Sequence, residues 1–259
     1  MQMSGNTIFL TGGGSGIGRA LAEKLHALGN TVIISGRRQA VLDAVTAANP
    51  GMASIAVDIA DAASIAAAAE QLIADHPNLN VVINNAGIMR NENLIRLGNQ
   101  VADAEATIAT NLLGPIRLTA ALLPHFLTQP AATIITVSSG LAFQPLAMTP
   151  TYSATKAAIH SWSQSLRYQL KETAIQVIEL APPYVQTELM GERQANDPHA
   201  LPLTDFIDEV MQILADKPDV TEVLVERVKP LRFAEASGNG EAFFTKFNDG
   251  YFAARAAEF

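Results

Sequence analysis

The chain has 259 residues, 49% hydrophobic and 16% charged, which supplies a large core and excludes a disordered or collagen-like protein. Its formal net charge of −8 lacks the Lys/Arg surplus that binding nucleic-acid phosphates requires. It has no Cys, which excludes disulfides, zinc–thiolate sites, iron–sulfur clusters and Cys nucleophiles. The first residues, Met1 to Asn6, show no basic-then-apolar leader, so a cytoplasmic location is expected. Leu118 to Thr155 contains no Asp, Glu, Lys or Arg, but Pro124, Pro130, Pro145 and Pro150 break it up. It is read as buried core, with no membrane association expected.

Thr7–Thr11 is a short apolar β run. Gly16 to Leu28 has helical periodicity and ends at Gly29-Asn30. Thr31–Ser35 is the next strand, and a helix follows to about Ala48. Ala53–Asp58 reads as a third strand, then Asp61–Asp75 as an Ala-rich helix capped by Asp61. Val81–Asn85 is a fourth strand, a long helix covers about 101–127, and Thr133–Ser139 is a fifth strand. Tyr152–Lys171 is helical, Gln176–Ala181 is a sixth strand, Thr204–Ala215 is a helix and Thr221–Glu226 is a last strand. This alternation predicts a single α/β domain over residues 1–259. The expected core is a doubly wound, mostly parallel, seven-stranded sheet of Rossmann type with helices on both faces. Residues about 187–220 are expected to form a lid-like segment, and 240–259 an aromatic C-terminal extension.

Between the first strand and first helix stands Thr11-Gly12-Gly13-Gly14-Ser15-Gly16-Ile17-Gly18. Glycines at such a junction let backbone approach a pyrophosphate, and the helix N-terminus offers free N–H groups to it. A glycine string alone is more often a plain turn; its position here favours dinucleotide binding.

The spacing G-x-x-x-G-x-G resembles the short-chain dehydrogenase/reductase family. The resemblance continues through Asn84-Asn85-Ala86-Gly87 after the fourth strand, Asp58 at the end of the third, and Asn111 in the long helix. It extends to Ser139, Tyr152-Ser-Ala-Thr-Lys156, and Pro182 with Thr187 five residues on. Asn85-Ala86-Gly87-Ile88-Met89-Arg90, Pro182-Pro183-Tyr184 and Leu166-Arg167-Tyr168 resemble the DltE-like branch. The resemblance spans about residues 6–226. It implies an oxidoreductase with catalytic Asn111, Ser139, Tyr152 and Lys156. It further implies cofactor contacts at Gly12, Ser15, Gly16, Ile17, Gly18, Arg37, Arg38, Asp58, Ile59, Asn85, Ala86, Gly87, Tyr152, Lys156, Pro182, Val185 and Thr187. It also implies a homodimer or homotetramer.

The chemistry of the residues is consistent with that. Tyr152 and Lys156 are four apart, so on a helix they share a face. A phenol near pKa 10 needs about 3 units of lowering, roughly 4 kcal/mol, to work freely as a base at neutral pH. A neighbouring ammonium has the required sign. Ser139 is expected to hydrogen-bond the substrate oxygen, and Asn111, by the resemblance, to hold a water leading from Lys156. Singly, such residues are usually surface or turn residues; together and in order they specify a site.

At the end of the second strand Gly36 stands where an NAD-selecting acid is common, and Arg37 and Arg38 follow. This predicts NADP(H) over NAD(H), because guanidinium groups bind phosphate bidentately. Leu141, Phe143, Pro145, Leu146, Tyr184, Leu189 and Met190, with Gln144 as a polar exception, are expected around an apolar carbonyl or alcohol substrate. His26, His76, His125, His160 and His199 show no metal-ligand spacing, and no metal is assigned. Phe243, Phe247 and Tyr251 make one helical stripe, read as docking on its own subunit or over a neighbour's site. The alternative function is a non-catalytic dinucleotide sensor on the same fold.

Overall fold

The computed structural model describes residues 1–95 and 100–255. In chain order these form β1 (Thr7–Thr11), α1 (Gly16–Ala27), β2 (Thr31–Gly36), α2 (Gln39–Ala48), β3 (Ala53–Ala56), α3 (Ala62–Asp75) and β4 (Leu79–Asn84). Next come α4 (Gln100–Ile108), a π-helical turn (Ala109–Leu113), α5 (Gly114–Phe126), β5 (Ala132–Val137), α6 (Pro150–Gln169) and β6 (Ile175–Leu180). Last are α7 (Glu192–Ala195), α8 (Leu203–Asp216), β7 (Glu222–Val223), α9 (Lys229–Arg232) and α10 (Gly240–Arg255). The strands form one sheet in the order β3-β2-β1-β4-β5-β6-β7, with every pair parallel.

Strand alternation divides the core between the two faces. Ile8, Leu10, Val32, Ile34, Val81 and Ile83 pack with Leu21, Leu25 and Leu42 of α1 and α2 and with Phe206 and Val210 of α8. Phe9, Ile33, Val82 and Ile134 pack with Ile65 and Leu72 of α3, Leu118, Leu122 and Phe126 of α5, and Leu166 of α6. Each central strand is therefore apolar on both sides, which is why its sequence reads as a nearly continuous hydrophobic run. The chain winds outward from β1 to β3, then crosses to β4 on the other side of β1. That reversal opens a crevice at the carboxyl ends of β1 and β4.

The edge strands are shorter than the apolar runs predict: β3 stops at Ala56 and β7 holds only two residues, because each has a single neighbour to pair with. The long helix is interrupted at Ala109–Leu113, and Asn111 lies in this wider turn. Gly114 follows because a Cβ there would lie 2.6 Å from the Ile59 carbonyl oxygen. By length and composition Val101–Phe126 could cross a membrane, but Leu118, Leu122 and Phe126 are fully buried against the sheet. The segment expected as a lid divides in two. Leu203–Asp216 is α8, whose Phe206, Ile207, Val210 and Leu214 belong to the core, whereas Thr187, Leu189, Gln194 and His199 of the earlier part line the crevice side.

Candidate active site

The glycine loop joins β1 to α1 at the crevice. Gly12 has φ +72°, a conformation that L side chains rarely adopt. At Gly18 a Cβ would stand 2.3 Å from the Gly12 carbonyl oxygen and 2.4 Å from Asn85 Nδ2. The loop after β4 is bound to it: Asn85 Nδ2 donates to Thr11 O (2.9 Å), and the backbone N–H groups of Asn85 and Ala86 donate to Thr11 Oγ1 (3.0 Å each). The Asn-Ala-Gly motif thus braces the glycine loop.

These loops enclose a groove of about 530 Å³. Gly12, Ser15, Gly16, Ile17 and Gly18 line it, as do Arg37, Arg38, Asp58, Ile59, Asn85, Ala86 and Gly87. Pro182, Val185, Thr187, Ser139, Tyr152 and Lys156 complete the expected set on its walls. Asn111 is set just behind the wall. It accepts from the Ile88 N–H and donates to the Ile88 carbonyl, both at 2.9 Å, so it clamps the backbone after the Asn-Ala-Gly loop. Arg37 and Arg38 are exposed at the groove's outer end, and Asp58 accepts from Ala60 N at 3.0 Å.

Ser139 follows β5 and Tyr152 and Lys156 lie in the first two turns of α6, with 8%, 7% and 4% exposure. Lys156 Nζ donates to Val137 O (2.7 Å) and lies 5.5 Å from the centre of the Tyr152 ring. Burial pushes the Tyr152 phenol up to about 12, against a hydrogen bond with Ser139 that favours the phenolate. Burial also holds the Lys156 ammonium down at about 8, opposed by the charge of Glu179. The lowering of Tyr152 expected from its neighbour is therefore outweighed, within the chain itself, by the burial that both share.

Ser139 and Tyr152 also face a second cavity of about 500 Å³. Leu141, Leu146, Tyr184, Leu189 and Met190 line it as expected, joined by Met148 and Leu231. Phe143 instead packs edge-on against His160, ring centres 4.8 Å apart, beneath the Arg232 guanidinium. Gln144 and Pro145 turn away to bond Glu235 and Asn248. The far wall comes from α10, through Phe247, Gly250, Tyr251, Ala254 and Arg255. So the aromatic stripe docks on its own chain; Phe259 and residues 256–258 lie outside the described residues. Asn248 pins α10 by accepting from Ala147 N (2.7 Å) and donating to Pro145 O (3.1 Å). Arg255 donates to the Tyr184 hydroxyl (2.6 Å) and pairs with Asp197 (3.1 Å). The spacing of residues 243, 247 and 251 foreshadowed the helix; nothing local identified Asn248, Asp197 or Arg255.

Sequence spacing also missed a polar cluster behind Ser139. Ser138, His160, Glu179, Glu222 and Arg232 meet there from five separate segments. The ligand atoms of His160, Glu179 and Glu222 lie within 4.8 Å of one another. They are already paired: His160 and Ser138 bond Glu179, and Arg232 grips Glu222 at 2.8 and 3.1 Å. The arrangement is an ion-pair network.

Residues 6–198 match the family model described as short chain dehydrogenase. The chain belongs to the short-chain dehydrogenase family. It is 40% identical over 237 residues to the uncharacterized oxidoreductase DltE of Bacillus subtilis, covering 90% of this chain and 93% of that one. A metagenomic short-chain oxidoreductase solved in complex with NADP is similar at 31% identity and TM-score 0.72, over 86% of this chain and 97% of that one. A short chain dehydrogenase from Burkholderia cenocepacia, in complex with NADP, shares the fold at TM-score 0.80 and 24% identity, over 95% and 98% of the two chains. One from Burkholderia phymatum, in complex with NAD, shares it at TM-score 0.78 and 20% identity, over 93% and 97%. This short-chain dehydrogenase is thus an oxidoreductase by family, with a seven-stranded parallel Rossmann-type sheet.

Proposed function

We propose that this chain is an NADP(H)-dependent oxidoreductase that interconverts a carbonyl and an alcohol, with Tyr152 as general acid/base. The observation that carries the reading is the position of Ser139 and Tyr152 in the wall shared by two cavities. On one side is the glycine-lined groove with Lys156. On the other is an apolar chamber of a size for a small organic substrate.

The groove fits a dinucleotide. A Cβ on Gly18 would crowd the Gly12 carbonyl of the loop, the N-terminus of α1 opens onto it, and Arg37 and Arg38 stand at its end with no carboxylate at Gly36. When bound, the cofactor supplies or accepts the hydride. Glycine-loop N–H groups would hold its pyrophosphate, and Arg37 and Arg38 would receive the 2′-phosphate that distinguishes NADP. Solved relatives carry NADP in two cases above and NAD in one, so the preference rests on these arginines.

In reduction, the Ser139 hydroxyl hydrogen-bonds the carbonyl oxygen as it gains charge, and Tyr152 donates its proton to it. A phenol at about 12 holds that proton throughout the neutral range. Lys156 stabilises the phenolate left behind and would hold the ribose of a bound nicotinamide. Asn111 keeps the groove floor in register through Ile88, beside the water path implied by the family. The substrate is read as apolar, since Leu, Met, Phe and Tyr side chains make much of the chamber wall, with Gln194, Asp197, His199 and Arg227 among its polar members. A homodimer or homotetramer is the assembly we infer from the family.

The test is oxidation of NADPH and NADH against a panel of ketones, aldehydes and quinones. NADPH-dependent turnover is expected, falling about 10²–10⁴-fold in Tyr152→Phe. Turnover undiminished in that variant would remove Tyr152 from the chemistry.

A further inference from the structure

We propose that Glu179 is a positioning residue of this site: the buried counter-charge that keeps Lys156 an ammonium and, through Ser138, fixes the turn that carries Ser139. The proposal rests on the catalytic reading of Lys156 and Tyr152 given above.

Glu179 is the penultimate residue of β6 and 1% exposed. It lies on the face that Val177 shares with α6, where strand alternation calls for an apolar side chain. A carboxylate there is costly without partners. Its Oε1 accepts from Ser138 Oγ (2.5 Å) and its Oε2 from His160 Nδ1 (2.7 Å). His160 is one turn beyond Lys156 on α6. Lys156 in turn holds the carbonyl of Val137, the residue before Ser138. Three consecutive residues are thus claimed in order: Val137 by the lysine, Ser138 by the glutamate, and Ser139 by the phenol.

Charged groups from three elements surround it. From α6, His160 bonds Glu179 directly, Lys156 one turn earlier feels its charge while bonding Val137 O, and Arg167 acts on Glu222. From α9 comes Arg232, and from β7 Glu222. Arg232 is committed to Glu222 by two hydrogen bonds. Glu179's charge reaches Arg232 as well, but Arg232 is bonded to Glu222, and Lys156 is the cation whose proton this carboxylate holds against burial.

The test reads Lys156 directly and needs no substrate. The chain has six lysines, so ¹³Cε-lysine labelling gives a resolvable spectrum, and Lys156→Arg assigns the buried signal. In the intact protein its midpoint is expected near 8. Glu179→Gln, which keeps the shape and a hydrogen-bond acceptor, is expected to lower it by about one unit, a tenfold fall in the ammonium-to-amine ratio. Arg232→Gln leaves the carboxylates under-neutralised and is expected to raise it. This second variant serves if Glu179→Gln does not fold, as judged by circular dichroism. In the enzyme assay, the alkaline limb of kcat/KM for reduction is expected to shift to lower pH in Glu179→Gln. An unmoved Lys156 midpoint in folded Glu179→Gln, or in Arg232→Gln where the former is unfolded, overturns the proposal. Failure of the oxidoreductase reading shows separately, as absent turnover with the titration shifts intact.

Discussion

Replacing Lys156 by Met should stabilise the fold at neutral pH while disabling the site. In the native state the ammonium is held down at about 8, against 10.5 for an ordinary lysine. Below pH 8 both folded and unfolded chains carry the proton, and the native state bears the whole penalty. Two and a half units correspond to about 3 kcal/mol. Between pH 8 and 10.5 the unfolded chain binds more protons, so native stability rises with pH, and above 10.5 the penalty is gone. The gain from Lys156→Met is offset by the lost hydrogen bond to Val137 O, a roughly constant cost of about 1–2 kcal/mol. Its pH dependence isolates the charge: the ionisation component falls from about 3 kcal/mol at pH 7 to about 1 kcal/mol at pH 10. Urea unfolding of both proteins at the two pH values measures the difference. Thermal melts should follow at about 2 °C per kcal/mol for a chain of this size. A stability difference between variant and parent that is the same at pH 7 and pH 10 would refute the reasoning.

Arg37→Asp should weaken NADPH binding about 10–100-fold, the worth of a charge-assisted phosphate contact of about 1.5–3 kcal/mol, and improve NADH binding; nucleotide fluorescence titration decides it, and an NADPH Kd within twofold of the parent contradicts the cofactor assignment. Gly18→Ala should abolish dinucleotide binding and cost about 1–3 kcal/mol, since the new methyl meets Gly12 O at 2.3 Å; normal binding by this variant would show that the loop relaxes freely. Arg255→Ala releases Tyr184 and Asp197, and KM for a bulky aryl ketone should rise on the order of tenfold (~1.4 kcal/mol) with kcat for a small aldehyde retained. Removing residues 241–259 should likewise open the substrate chamber and leave molecular mass per particle, by light scattering, at the same subunit number; dissociation would place the helix between subunits.

Much of the site was legible because its signals are local. A glycine loop between a strand and a helix, an i, i+4 Tyr/Lys pair and a two-arginine strand end declare themselves within a few residues of chain. The doubly wound sheet followed from continuous apolar strands alternating with amphipathic helices, a pattern that burial on both faces imposes. The tertiary structure decided what no local period encodes. Parallel register sets Glu179 opposite Thr136, beside the start of α6. There it meets His160 and Ser138, 19 and 41 residues away in sequence. The 243/247/251 stripe announces a helix but not its partner; the partner is set by Asn248 finding Pro145 and Ala147 a hundred residues earlier. The proton affinities too were decided only by folding, because burial acts on Tyr152 and Lys156 together, and spacing carries no measure of how far water has been excluded.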